Sequence, residues 1–320
     1  MELVERMLKG DRLALARLIT RVENRMAGVP EIMRAVHSRA GRAYVLGITG
    51  PPGAGKSTLV DRLTALIRSG GVPVGIVAVD PSSPFTGGAV LGDRIRMQSH
   101  TLDPDVFIRS MATRGSLGGL ARATGDVVKL MDAFGFPWII VETVGVGQTE
   151  LDIIRQVDTT VVALVPESGD SVQAMKAGLM EVADIFAVNK ADRDGAHAVM
   201  AELRFSVHLH YASNSSPKDI DWEIPVLATQ AANDVGVREL LAEIKRHRVA
   251  LETSGALEKR RQARRRAQLK ALLVEEFTAE VMERVQTDDT LARTLEAVAG
   301  GALDAYSGVT EILAITLRRP

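Results

Sequence analysis

The stretch YVLGITGPPGAGKST, residues 44–58, decides the fold. An apolar, β-rich run, Tyr44–Thr49, enters a glycine-rich turn, and a helical pattern over Ser57–Ile67 leaves it. From Gly50 to Ser57 the residues satisfy G-x-x-x-x-G-K-[ST] in the strand–turn–helix context that this motif requires. Phosphate oxygens need several convergent N–H donors, and only a glycine-rich turn lets the backbone come close enough. Gly53 and Gly55 supply that freedom, and the helix N-terminus adds its partial positive charge. Lys56 is expected to bridge the β- and γ-phosphates, and the Ser57 hydroxyl to ligate Mg2+. Gly50, Pro51, Pro52, Ala54 and Thr58 complete the expected nucleotide cradle.

Outward from this loop, short β-rich runs alternate with helical patterns. The runs are Tyr44–Thr49, Val74–Val79, Val106–Met111, Trp138–Thr143, Thr160–Val165, Ile185–Val188 and Pro225–Thr229. Several are apolar on both faces, as buried parallel strands should be. Helices between them imply right-handed crossovers. The expected class is α/β: a P-loop NTPase with a mostly parallel central sheet flanked by helices, plus N- and C-terminal helical extensions. Leu15, Leu18, Ile19, Val22 and Met26 fall on one face of a helix that Asp11 can cap. After about His247 the strands stop, and Leu269, Leu273, Phe277, Val281 and Val285 recur every four residues. The boundaries are set at 1–42 for the N-terminal extension, 43–247 for the nucleotide domain and 248–320 for a C-terminal helical arm.

Asn189-Lys190-Ala191-Asp192 follows the sixth run and selects the base. A carboxylate at Asp192 can accept from the guanine ring N–H and its exocyclic amino group together. Adenine lacks that donor pair and would leave the acceptor unpaired. Lys190 lays its stem along the base, and Asn189 ties the loop to its neighbours. At the end of the last run, Thr229-Gln230-Ala231 occupies the place where a backbone amide meets the guanine carbonyl, with Gln230 where serine is usual. GTP or GDP is therefore the expected nucleotide.

The catalytic face is assigned from strand ends. Glu142 stands where an aspartate usually closes the Mg2+ strand, three residues before Gly145, whose amide can sense the γ-phosphate. Asp80, directly after the second run, and Asp93 are further candidate ligands, with a turn or cap role as the alternative for each. Lys56, Glu142 and Asp93 form the expected catalytic set, and Ser57, Asp80, Asp93 and Glu142 the metal set. After Gly145 come Val146-Gly147-Gln148, so no glutamine immediately follows the glycine to orient water. Arg94, Arg96, Arg109 and Arg114 are the arginines that can act in its place.

Composition closes off other classes. The chain has 320 residues, 46% of them hydrophobic, enough for a sizeable core. Its 39 basic and 40 acidic residues balance, which gives no reason to expect nucleic acid or a membrane surface. The run KRRQARRR, residues 259–266, lies among glutamates on a helical pattern and reads as a solvated face. There is no cysteine, which argues against a thiolate metal centre and against metal delivery of the hydrogenase or urease type. The opening MELVERMLKGDRLALA carries no signal core, and the longest apolar stretches are too short for a bilayer; a cytoplasmic protein is expected.

Three long segments go further: VDPSSPFTGGAVLGDRIRM (79–97), FIRSMATRGSLGGLA (107–121) and VETVGVGQTELDI (141–153). With the GDRLALARLITRVEN start (10–24) and an LDAYSG tail (303–308), the chain resembles the MeaB/ArgK family of P-loop GTPases. Departures are Gln230, Ser99 and the Pro84-Phe85 pair. The resemblance implies a homodimer paired through the C-terminal arm and Mg2+ surrounded by Asp80, Asp93 and Glu142. It also implies service to a cobalamin-dependent acyl-CoA mutase, methylmalonyl-CoA mutase first among them, by gated loading and protection of adenosylcobalamin. A cobalamin adenosyltransferase is a further implied partner. An older label of the same family, an ATP-using transport-system kinase, is opposed by Asp192.

Overall fold

The computed structural model describes residues 1–80, 100, 102–112, 119–143, 151, 154–166, 179–213 and 220–317. It divides into two compact units, Met1–Arg261 and Gln262–Pro320.

The first unit is built on a seven-stranded sheet. Its strands are β1 (Tyr44–Thr49), β2 (Val74–Asp80), β3 (Val106–Ala112), β4 (Trp138–Thr143), β5 (Thr159–Leu164), β6 (Ile185–Val188) and β7 (Val226–Ala228). The order is β3-β2-β4-β1-β5-β6-β7, and every neighbouring pair is parallel. The runs read from sequence coincide with these strands to within a residue at each end. β1, β4 and β5 are buried at every position, which is why their side chains do not alternate. The chain passes from β4 on one side of β1 to β5 on the other. That reversal opens a crevice at the carboxyl end of β1, where open α/β sheets bind ligands.

Helices cover both faces. On one lie α1 (Glu2–Leu8), α2 (Arg12–Glu23), α3 (Val29–Val36) and α5 (Gly119–Phe134), packed on Val45, Val77, Ile139 and Val141. On the other are α4 (Lys56–Ser69) and α7 (Val237–Thr253), against Leu46, Ile48, Ile76 and Ile140. Between them in sequence, α6 (Ala196–Ser213) covers Phe186 and Val188. The N-terminal helices thus belong to the sheet's own core. Leu15, Leu18 and Ile19 of α2 are fully buried, worth roughly 1.5–3 kcal/mol each. Asp11 caps α2 by accepting from the Ala14 N–H at 3.0 Å, as its sequence position suggested. α2 also blunts the edge strand β3: Arg12 donates to the Pro104 and Val106 carbonyls, and Arg109 pairs with Glu23.

Helix α8 (Ala256–Thr287) begins in the first unit. Its opening turns correct the reading of 259–266 as wholly solvated: Lys259, Arg265 and Arg266 are exposed, but Arg260 and Arg261 turn inward onto Asp184 and Asp158. The second unit holds the rest of α8 with α9 (Asp289–Ala299) and α10 (Ala305–Leu317). Asp288 caps α9 through the Thr290 and Leu291 N–H groups, and Val285 and Leu291 are buried. Leu269, Leu273 and Phe277 form an exposed apolar stripe along α8. No helix among the described residues is long and apolar enough to cross a membrane.

Candidate functional site: a phosphate loop and a guanine loop at the carboxyl edge of the sheet

The loop after β1 is pressed against its neighbours at both ends. Gly50 has φ +142°, and a Cβ there would lie 2.0 Å from the Ala163 carbonyl oxygen of β5. Gly55 has φ +80°, and its Cβ would lie 2.3 Å from Asn189 Nδ2. Lys56 is buried and folds back over the loop, donating to the Gly50 carbonyl at 2.8 Å and the Pro51 carbonyl at 2.9 Å. Its ammonium is therefore held at the mouth of the loop, beside the N-terminus of α4.

One residue further on, the Ser57 hydroxyl donates to Glu142 Oε1 at 2.7 Å. Glu142, the penultimate residue of β4, lies beside β1, opposite Ile48, and is 1% exposed. A hydroxyl and a carboxylate meeting at a phosphate loop form an all-oxygen donor set. That chemistry suits a hard cation such as Mg2+, so these residues fit the metal assigned to them. Asp93 lies outside the described residues, as do Arg94, Arg96, Arg114 and the segment Gly145–Gln148; so does the side chain of Asp80. Arg109 is within them, and its guanidinium is committed to Glu23 and to Thr20 Oγ1 on α2. It serves the β3 edge, which removes it from the arginines considered for catalysis.

Asn189 joins the loop after β1 to the loop after β7. It is 2% exposed. Its Nδ2 donates to the Ala54 carbonyl at 2.9 Å, while its Oδ1 accepts from Thr229 Oγ1 at 3.2 Å and the Ala231 N–H at 3.0 Å. Lys190 then takes a left-handed conformation, φ +55°, and the Ala191 N–H donates to the Thr229 carbonyl at 3.0 Å. The turn exposes Asp192 at the edge of the crevice. Sequence reading gave Asn189 a tying role but not its partners, because those lie 135, 40 and 42 residues away. It also expected a backbone amide of Thr229-Gln230-Ala231 to meet the guanine carbonyl; of these three, the Ala231 N–H donates to Asn189 Oδ1. Gln230 turns back on its own loop, where its Oε1 accepts from Asn233 Nδ2 at 3.3 Å and its N–H donates to the Val235 carbonyl at 2.9 Å.

A family model described as methylmalonyl Co-A mutase-associated GTPase MeaB matches residues 15–286. A relative from Pyrococcus abyssi is 50% identical over 312 residues, covering 98% of this chain and 95% of its own. A fused isobutyryl-CoA mutase of Cupriavidus metallidurans is 38% identical over 244 residues, covering 74% of this chain and 22% of that one. A crystal structure described as a LAO/AO transport system kinase superposes with a TM-score of 0.68 at 29% identity, covering 99% of this chain and 97% of that one. The strand order, the phosphate loop, the Asn189–Asp192 turn and these relatives agree: the chain is a P-loop GTPase of the MeaB family.

Proposed function

We propose that this GTPase binds GTP with Mg2+ and couples its hydrolysis to the loading and protection of adenosylcobalamin in an acyl-CoA mutase. Methylmalonyl-CoA mutase is the first candidate client. The observation that carries the reading is the Cupriavidus metallidurans protein, in which a segment homologous to most of this chain is part of a mutase polypeptide. A GTPase joined covalently to a mutase in one organism is expected to meet one as a separate chain in another.

In this reading Asp192 selects guanine, and residues 50–58 hold the phosphates. Lys56 balances the negative charge that builds on the oxygen between the β- and γ-phosphates as the bond breaks. Ser57 and Glu142, with Asp80 and Asp93, hold Mg2+, which neutralises phosphate charge when bound. Thr229 and Ala231 keep Asn189 in place, and so hold the base-reading turn against the phosphate loop. Leu269, Leu273 and Phe277 of the C-terminal arm are assigned to pairing of two copies, and a cobalamin adenosyltransferase to the supply of cofactor. The cytoplasm is the expected compartment.

The structure described as a transport system kinase favours a second reading, an ATP-using transport-system kinase. Asp192 opposes it, and competition between ATP and GTP decides it. The main reading is tested by phosphate release with purified cobalamin-dependent mutases of the same organism, paired with calorimetry in the GTP and GDP states. Turnover is expected to rise about ten-fold or more, equal to roughly 1.4 kcal/mol of barrier. Linkage further requires the mutase to bind the two nucleotide states with different affinity wherever it shifts the nucleotide equilibrium. No acceleration and equal affinities with every such mutase would remove the client from this proposal.

A further inference from the structure

Two buried threonines stand beside the Mg2+ side of the site without a role in the scheme above. Thr49 is the last residue of β1, immediately before Gly50, and Thr143 is the last residue of β4, immediately after Glu142. Both are 0% exposed, and Thr143 Oγ1 donates to Thr49 Oγ1 at 2.8 Å.

Their place in the ladder is informative. The β1–β4 register runs from Tyr44 opposite Trp138 to Ile48 opposite Glu142 and stops there. Beyond that point Thr49 pairs with Val162 of β5, and Thr143 with Val79 of β2. The hydroxyl–hydroxyl bond therefore extends the β1–β4 connection by one residue, at the level where the backbone register ends. Side chains alternate across a sheet, so Thr143 and Glu142 project to opposite faces. On one face Glu142 accepts from Ser57; on the other, the threonine pair holds the same strand end to the strand that delivers the phosphate loop. Valine has the shape of threonine and would fill these positions without placing hydroxyls in a dry interior, where each needs a partner.

We propose that Thr49 and Thr143 are positioning residues that hold the Glu142 carboxylate in register with Ser57, and so set the Mg2+-dependent part of nucleotide affinity. The inference rests on the reading of Ser57 and Glu142 as the Mg2+ residues.

The test uses the full chain and three variants, Thr143→Val, Thr49→Val and Thr143→Ser. Release of a fluorescent GDP analogue is followed in Mg2+ and in EDTA, alongside the Mg2+ half-saturation of release, kcat and KM. With either valine, release in Mg2+ is expected to quicken by about five-fold or more, the scale of one hydrogen bond. Mg2+ half-saturation should rise in step, while release in EDTA stays at the wild-type rate. Thr143→Ser keeps the hydroxyl and is expected to restore the wild-type response. Should one valine variant fail to fold, the other still removes the bond. A lower Tm with unchanged Mg2+ half-saturation would mean that the pair only stabilises the fold, and would overturn the inference. Equal acceleration in Mg2+ and EDTA would overturn it too. A wild-type protein with no Mg2+ dependence would instead overturn the metal assignment itself, a result visible before any variant is compared.

Discussion

Arg261 and Asp158 form a two-pronged ion pair, with Nη2 2.7 Å from Oδ2 and Nε 3.2 Å from Oδ1. Asp158 is 1% exposed and also accepts from the Val45 N–H of β1 at 3.0 Å. The same guanidinium donates to the Gly41 and Ala43 carbonyls at 2.7 and 2.8 Å. One arginine thus fixes the start of α8, the entry to β1 and the entry to β5. Arg261→Met should cost about 3–5 kcal/mol, because it leaves Asp158 buried and uncompensated. The double variant Arg261→Met/Asp158→Asn should recover part of that loss. Urea unfolding of the wild type, both single variants and the double variant measures the coupling, and additive losses would show that the pair is energetically idle.

His247 makes the fold sensitive to acid. It is fully buried, lies over Trp222 with ring centroids 4.6 Å apart, and its Nδ1 is 2.7 Å from Thr159 Oγ1. Burial lowers its pKa from 6.5 to about 4; Asp184 pulls it up and Arg260 pushes it down. Because the folded pKa is the lower one, the unfolded chain takes up the proton first as pH falls. Stability is then lost from about pH 6.5 downward and levels off near pH 4. Between pH 7 and pH 5 this histidine should account for about 2 kcal/mol of lost stability. His247→Phe removes that contribution, so its Tm should fall less than the wild type's over the same interval. An equal fall in both proteins would assign the acid sensitivity to other groups.

Gly55 is the glycine whose replacement should uncouple the two nucleotide loops. An added Cβ would meet Asn189 Nδ2 at 2.3 Å, and Asn189 is held on both sides of its amide. Gly55→Ala is expected to displace Asn189 from Ala54 and to reduce GDP affinity by about ten-fold or more, on the scale of one lost buried hydrogen bond plus backbone strain. Gly10→Ala is the control: its φ is +92°, but nothing lies within 4 Å of an added Cβ. That variant should cost about 1 kcal/mol of stability and leave nucleotide affinity unchanged.

Asp192→Asn should weaken GTP and favour xanthosine triphosphate, whose extra carbonyl accepts from the new amide. The discrimination lost is on the order of 3–6 kcal/mol, the scale of unpaired buried polar groups. Titration of the variant with both nucleotides is the measurement. Unchanged GTP affinity would show that Asp192 does not read the base.

Lys56→Ala and Glu142→Gln should fail differently. Without the Lys56 ammonium, charge on the transferring phosphoryl oxygens goes uncompensated, and most turnover should be lost. Glu142→Gln can still accept from Ser57 but lacks the charge for Mg2+. Its nucleotide affinity in EDTA should match wild type, and its Mg2+-dependent affinity should fall. Equal affinity losses with and without Mg2+ would place Glu142 outside the metal site.

The sheet, its parallel sense, the strand–turn–helix of the phosphate loop and the turn after β6 were legible because each is written in contiguous residues. Apolar runs without alternation, those of β1, β4 and β5 among them, read as strands covered on both faces, and Gly50–Ser57 and Asn189–Asp192 are each contiguous motifs of a few residues. The family resemblance was legible for the same reason, in long uninterrupted segments. What the sequence could not display were contacts closed by the sheet order. Placing β4 and β5 on either side of β1 brings Glu142 to Ser57, Thr143 to Thr49 and Asp158 to Val45. The Asn189 junction forms in the same way, from residues on three separate loops. Arg261 looked like one member of a solvated basic run, since nothing in residues 259–266 distinguishes it from its neighbours. Only the turn of α8 against the amino end of the sheet sets Arg261 on Asp158 and leaves Arg265 and Arg266 in water. Helical periodicity gives a residue's direction relative to its own helix, but its partner is fixed by packing between elements distant in the chain.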